Sequence, residues 1–206
     1  MMNELVRNVL MGAAGSASES TFIDDVFSTY LYRGNDSNIT VNNSLDLSTE
    51  GGLVWVKNRT TSYGHFLFDT VRGTTKAISS NLNNAEFTEA KGVTSFNTNG
   101  FTIGGSGADA AFNSSSHDYA SWSFRKTPGF FDIVTYTGNG SGSARTINHN
   151  LGSVPGFIAL KKYSQSSSWV AYHRDLSTNG YLVLNSTNAA QTSANGSINS
   201  ATSTQF

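Results

Sequence analysis

Residues 154–173 read VPGFIALKKYSQSSSWVAYH, and residues 51–69 read GGLVWVKNRTTSYGHFLFD. With Gly156 set on Gly52, an offset of 104 residues (156 minus 52), Trp55 meets Ala159, Lys57 meets Lys161, His65 meets Trp169 and Phe68 meets Tyr172. The register holds downstream, where SSNLNNA (79–85) faces VLNSTNA (183–189). Upstream, YLYRGN (30–35) faces VTYTGN (134–139), and VNNSLDLS (41–48) faces INHNLGS (147–153) after a two-residue gap. A solenoid repeats every few tens of residues. This longer period predicts a tandem duplication of a whole domain.

Composition points to strands. The chain has 206 residues, 13% charged and 12% aromatic, with 20 Gly and 2 Pro. Thr, Val, Phe, Tyr and Trp suit a pleated sheet, while Gly and Asn suit the tight turns between strands. A formal net charge of −1 supplies no basic field for nucleic acid, so no nucleic-acid partner is expected. Cysteine is absent, which removes disulfides, thiolate metal sites and cysteine nucleophiles. No run approaches the roughly 20 apolar residues of a membrane helix, and no membrane insertion is expected.

Alternation places the strands. LVWVKNR (53–59) and HFLFDTV (65–71) flank the polar turn TTSYG and predict a hairpin. AISSN (77–81), SFNTN–GFTIG (95–104) and YASWSFRK (119–126) add further strands, and GGSGADAAFNSSSHD (104–118) reads as a flexible loop. KTPG (126–129) turns the chain, and FFDIVTYTG (130–138) opens the second unit as a strand. The expected fold is all-β: tandem β-sandwich domains, jelly-roll or lectin-like, over 22–126 and 130–206, after a linker at 16–21. The second unit lacks counterparts of the GGSG loop and of YASWSF. Two explanations stand: the chain is the N-terminal part of a longer protein, which is favoured, or a neighbour supplies the strand.

Residues 1–15 stand apart. Leu5, Val6, Val9 and Leu10 form one apolar stripe on a short helix that Gly12 and Gly15 would end. The segment also has features of a cleavable signal peptide, but its apolar run is weak and Glu4 occupies the positive region. A docked helix is the favoured reading, because about ten residues are marginal alone.

Catalytic patterns are sparse. His65, His117, His149 and His173 show no HxH or HExxH spacing; YHRD (172–175) pairs a His with an Asp to which only tertiary structure could bring a serine, and an ordinary polar residue beside a strand is the favoured reading. No GxSxG elbow or phosphate loop occurs. Asp24 and Asp25 lie outside any oxygen-rich calcium loop, and Asp69 reads as the ion-pair partner of Arg72. Glu50, Glu86 and Glu89 lie in polar loops, without the apolar neighbours a glycosidase acid needs. No enzyme activity, metal or cofactor is expected. Tyr63, Tyr163 and Trp169 are candidate sugar-stacking rings, with core or hairpin packing as the plainer reading of each.

Six strings carry a resemblance: DDVFSTYLYRG (24–34), LDLSTEGGLVWVKNR (45–59), HFLFDTVRG (65–73), SFNTNGFTIG (95–104), SWSFRKTPGFFDIVTYTGNG (121–140) and HNLGSVPGFI (149–158). They resemble a family of virion proteins from tailed phages of marine bacteria, cyanophages among them. The resemblance implies a structural component on the outside of the particle, most simply the anchoring part of a tail fibre or fibre-like protein. It implies other virion proteins as partners, a homotrimeric assembly, and docking through Leu5, Val6, Val9 and Leu10. VLMGAAGSA (9–17) also resembles the start of such proteins. A head-attached fibre and a module binding host surface glycans are the alternatives. The family carries no catalytic residues to transfer.

Overall fold

A computed structural model describes residues 21–141, 143–193 and 198–206. The docking helix expected around Leu5, Val6, Val9 and Leu10 lies outside the described residues. Among those described, regular structure is all β apart from one short 3-10 turn at Ile23–Asp25.

Nine strands precede the KTPG turn: β1 (Phe27–Arg33), β2 (Ile39–Asn42), β3 (Gly52–Asn58), β4 (His65–Asp69), β5 (Lys76–Ser79), β6 (Phe87–Thr88), β7 (Val93–Asn97), β8 (Gly100–Ile103) and β9 (Asp118–Arg125). They make a six-stranded sheet, β1-β9-β3-β4-β5-β6, and a three-stranded sheet, β2-β8-β7, both antiparallel. The expected hairpin is β3–β4, with Trp55 opposite Leu67.

Strict alternation on β3 buries Val54 and Val56 and leaves Trp55 and Lys57 on the other face. Those valines join Phe68 of β4, Val41 of β2, and Phe101 and Ile103 of β8 in one closed core, so the two sheets pack face to face. Each such side chain contributes about 1.5–3 kcal/mol by leaving water. Ser121 and Ser123 of β9 are buried on this face as well, and the Asn43 amide donates to Ser123 Oγ at 2.8 Å. A paired hydroxyl carries little of the desolvation cost an unpaired one would.

The loop 104–118, expected to be flexible, is instead tightly tied. Phe112 is buried in the core, with its ring 5.0 Å from Phe66 and 5.7 Å from Phe68. Asn113 is fully buried; its amide nitrogen donates to the carbonyls of Ser37 and Gly105 and its oxygen accepts from the Asp109 N–H. The Tyr32 hydroxyl donates to the Phe112 carbonyl at 3.0 Å and stacks on Tyr119 at 5.0 Å. The Gly/Ser-rich composition thus conceals a loop that closes one end of the core.

After the turn come β10 (Phe157–Leu160), β11 (Val170–His173), β12 (Gly180–Val183) and β13 (Gln191–Thr192), one antiparallel sheet in that order. FFDIVTYTG does not open this unit as a strand: Phe131 makes only an isolated bridge to Thr127. A strand exists through its neighbour's hydrogen bonds. In the first unit β1 has β9 beside it, whereas 132–137 has no such neighbour among the described residues. Ile147 and Phe206 exchange both backbone hydrogen bonds, at 2.8 and 3.0 Å, much as Val41 pairs with Phe101.

The second sheet repeats details of β3–β6 at the offset of 104. Ser80 N–H to His65 O recurs as Leu184 N–H to Trp169 O, and Thr70 N–H to Gly52 O as Arg174 N–H to Gly156 O. Glu89 N–H to Thr75 O recurs as Ser193 N–H to Asn179 O. Thr75 and Asn179 both hold a left-handed backbone, φ 62° and 59°. The Asn81 side chain accepts from the His65 N–H at 2.9 Å, and Asn185 accepts from Trp169 at 2.8 Å.

Candidate functional site

On the six-stranded sheet the face away from the core is aromatic. Register sets Trp55 of β3 directly opposite Trp122 of β9, Leu53 opposite Phe124, and Lys57 of β3 opposite His65 of β4. Because β3 and β9 alternate, the same pattern that buries valine and serine inward turns both tryptophans outward. The Trp55 and Trp122 rings meet edge to face at 5.7 Å, and His65 lies 5.9 Å from Trp55. Phe27 of β1 extends the row, 5.0 Å from Phe124, and Phe131 adds to it at 5.4 Å. Trp55, His65, Trp122 and Phe124 line an open depression of about 270 Å³.

Two polar atoms in this depression, Trp55 Nε1 and His65 Nδ1, are buried without a hydrogen-bond partner. Such groups are uncommon and costly. Burial, reinforced by the Lys57 ammonium, lowers the His65 pKa, so the ring is neutral at physiological pH. The depression itself offers flat apolar ring faces, with the unpaired indole nitrogen and neutral imidazole nitrogen lying beneath its surface. That is equipment for stacking.

The rings singled out from sequence lie elsewhere. Tyr63 is exposed beside His117, 6.4 Å ring to ring, and its carbonyl accepts from Lys57 Nζ. Tyr163 is exposed, and its carbonyl accepts from the Glu86 N–H at 2.8 Å. Trp169 is the correction. Only 6% of it is exposed, and its indole N–H donates to the Ser79 carbonyl at 2.8 Å. It has no free face for a sugar, because it joins the second sheet to β5. The tryptophans that do face outward, Trp55 and Trp122, could have been found from alternation, which in YASWSF sets Trp122 on the opposite face from Ser121 and Ser123.

The carboxylates sort into structural roles. Arg72 Nε meets Asp69 Oδ2 at 2.6 Å and its Nη1 meets Glu86 Oε2 at 3.0 Å, with the Arg72 and Asp69 side chains only 7% and 5% exposed. Asp25 accepts from the Phe22 N–H at 3.1 Å. His173 and Asp175 of YHRD sit 3.6 Å apart on the surface, where the Asp175 N–H donates to His173 Nδ1. His149 accepts from the Leu151 N–H, while its Nε2 lies 3.1 Å from the Thr202 carbonyl. That pairing assigns the Nε2–H tautomer. Among the described residues, no three His, Asp or Glu side chains converge to hold a metal ion.

Fold and site together define an all-β protein of antiparallel sheets with an aromatic outer face. The chain belongs to the family described as a domain of unknown function, DUF7483, whose model matches residues 23–206 and so runs through all three sheets. No curated protein and no solved structure matched the chain.

Proposed function

We propose that this chain is a structural, non-enzymatic component of a tailed-phage virion, the anchoring part of a tail fibre or fibre-like protein that projects from the particle for host attachment. The observation that carries the reading is the recurrence, at 104 residues, of strand positions, backbone hydrogen bonds and the Asn81/Asn185 side-chain bonds. Such recurrence supports two tandem copies of one sandwich-like β unit, and a protein that must extend away from a surface gains length by copying a unit. The six resembling strings supply the virion context. In this reading residues 1–15 dock on other virion proteins through Leu5, Val6, Val9 and Leu10, and the chain associates as a homotrimer.

The test is location. Antiserum raised against residues 21–206 should label the outside of purified particles grown from a genome that encodes this chain, and a blot should find it in their protein. Particles free of it, with the protein left in the lysate, would refute the reading. Labelling of heads in place of tails would make it a head-attached fibre.

A second reading has its own observation, the Trp55–Trp122 depression. An open row of aromatic faces suits a sugar ring, which stacks its apolar side on them. Host-surface oligosaccharides should then shift the tryptophan fluorescence of the intact chain, and Trp122→Ala should abolish the shift. An unchanged spectrum at millimolar sugar removes this reading.

A further inference from the structure

We propose that Asn139 is a self-modification site: the main-chain nitrogen of Gly140 attacks its side-chain amide, and the residue ages into aspartate and isoaspartate. The inference goes beyond the virion reading and does not rest on it. The dipeptide Asn-Gly occurs four times, at 99–100, 139–140, 179–180 and 195–196. Glycine carries no Cβ, so it leaves the attacking nitrogen unshielded. The dipeptide alone does not rank these sites. The fold does, for the first three; Asn195 and Gly196 lie outside the described residues.

The reaction needs water and nothing else. The Gly140 nitrogen gives its proton to solvent and bonds to Asn139 Cγ. The bond from Cγ to the side-chain nitrogen then breaks, and that nitrogen takes a proton and leaves as ammonia. The product is a cyclic succinimide. Water opens it at either carbonyl: aspartate forms where the new bond from Gly140 to Cγ breaks, isoaspartate where the original main-chain bond breaks. Closing the ring requires the chain to turn until the nitrogen reaches Cγ. A site whose own carbonyl and following N–H are hydrogen-bonded must first open locally, which slows it by the cost of that opening.

Two of the three described pairs are tied down. The Asn99 carbonyl accepts from the Asn43 N–H at 3.1 Å, and Gly100 is buried in β8, where a Cβ would stand 2.0 Å from the Val41 carbonyl oxygen. The Asn179 carbonyl accepts from the Ser193 N–H at 3.1 Å, and the Gly180 N–H, the nucleophile itself, donates to the Ser177 carbonyl at 2.7 Å. Asn139 escapes both restraints. It and Gly140 are exposed, and nothing lies within 4 Å of the Cβ position of Gly140. Among the described residues, no backbone hydrogen bond holds the Asn139 carbonyl or the Gly140 N–H.

One bond remains at this site, and it favours the reaction. The Ser141 N–H donates to Asn139 Oδ1 at 3.0 Å, a local turn that carries the side-chain amide back along the Gly140 peptide. Oδ1 is the atom that takes the negative charge when Cγ becomes tetrahedral, and a donor already facing it stabilises that charge. The outcome adds one negative charge to a chain of formal net charge −1, so the aged protein separates as a more acidic form.

The test incubates the purified full chain at mildly alkaline pH in water enriched in heavy oxygen, with samples mapped over time by peptide mass spectrometry. Asn139 should convert at least tenfold faster than Asn99 and Asn179, retain one heavy oxygen per event, and give both aspartate and isoaspartate. In denaturing guanidinium chloride only the neighbouring residues distinguish the sites, and the spread between them should shrink several-fold. Gly140→Ala should slow conversion at Asn139 at least tenfold; unchanged rates at Asn99 and Asn179 in that variant report that its fold is intact. A native lead below tenfold, a lead as large in denaturant as without it, or an undiminished rate in Gly140→Ala overturns the proposal. None of these outcomes bears on whether the protein is found on particles.

Discussion

Replacing Arg72 by Met, which keeps much of the apolar stem and removes the guanidinium, tests what locks the six-stranded sheet. The guanidinium is almost wholly buried and makes four bonds: to Asp69 at 2.6 Å, to Glu86 at 3.0 Å, and to the carbonyls of Lys76 and Leu67 at 3.1 and 3.2 Å. Arg72 thus ties the end of β4 to β5 and to the chain leading into β6. Removing one partner of a buried pair costs about 3–5 kcal/mol, chiefly because the other charge is left uncompensated. Here Asp69 keeps the backbone N–H groups of Val71 and residue 72, and Glu86 is exposed enough to rehydrate. The expected loss is therefore at the low end, about 3 kcal/mol, a large share of a typical stability of about 5–15 kcal/mol. Urea unfolding followed by tryptophan fluorescence measures it, and a double-mutant cycle with Asp69→Asn should return a coupling of about 1.5–3 kcal/mol. A loss below about 1 kcal/mol, or strict additivity, would show that the cluster is ordinary surface charge.

Gly34→Ala and Gly138→Ala should part company. A Cβ at Gly34 would sit 2.0 Å from the Ser114 carbonyl oxygen, and one at Gly138 meets nothing within 4 Å. The first should lower the unfolding midpoint sharply and the second leave it unchanged, as thermal melts will show. Asn81→Ala and Asn185→Ala each delete one side-chain acceptor for a backbone N–H; each should cost about 1 kcal/mol in urea titrations, and a several-fold disparity would count against equivalence of the two positions. His65 is held below its ordinary pKa of about 6.5, so the unfolded chain takes up that proton first. Its contribution to stability is complete above about pH 6.5 and is lost as the pH falls below that value. Wild type should therefore lose stability on acidification more steeply than His65→Gln, and parallel pH profiles would refute the assignment.

The sequence disclosed whatever depends on short-range pattern. Alternation in LVWVKNR and HFLFDTV marked the β3–β4 hairpin, and the Asp69/Arg72 spacing marked their ion pair. It misled where neighbours distant in the chain decide. FFDIVTYTG has the alternation of a strand, yet with no β9 beside it the segment forms only one bridge. GGSGADAAFNSSSHD looks loose by composition, but Phe112 and Asn113 are fixed by the core and by carbonyls some 76 residues upstream at Ser37. Trp169 reads from sequence as a candidate sugar-stacking ring, with core or hairpin packing as the plainer reading; it is buried, and its indole N–H donates to the carbonyl of Ser79, 90 residues away. The aromatic depression was half legible: alternation gave the face of Trp122, while its pairing with Trp55 required the strand order.

That Trp169 contact has a mechanical side. The first and second sheets are joined by the indole bond to Ser79 and, nearby, by Glu86 N–H to Tyr163 O and Ser167 N–H to Asn83 O, each 2.8 Å long. Swinging the two sheets about any one of these tethers requires breaking the other two. The joint therefore resists bending the way a splint does, and tension along the chain is shared among these bonds and a longer one from Lys161 Nζ to the Asn83 carbonyl at 3.4 Å. Stiffness at this seam depends on an indole, and Trp169→Phe, which keeps the ring and loses the N–H, would loosen the splint without unfolding either sheet.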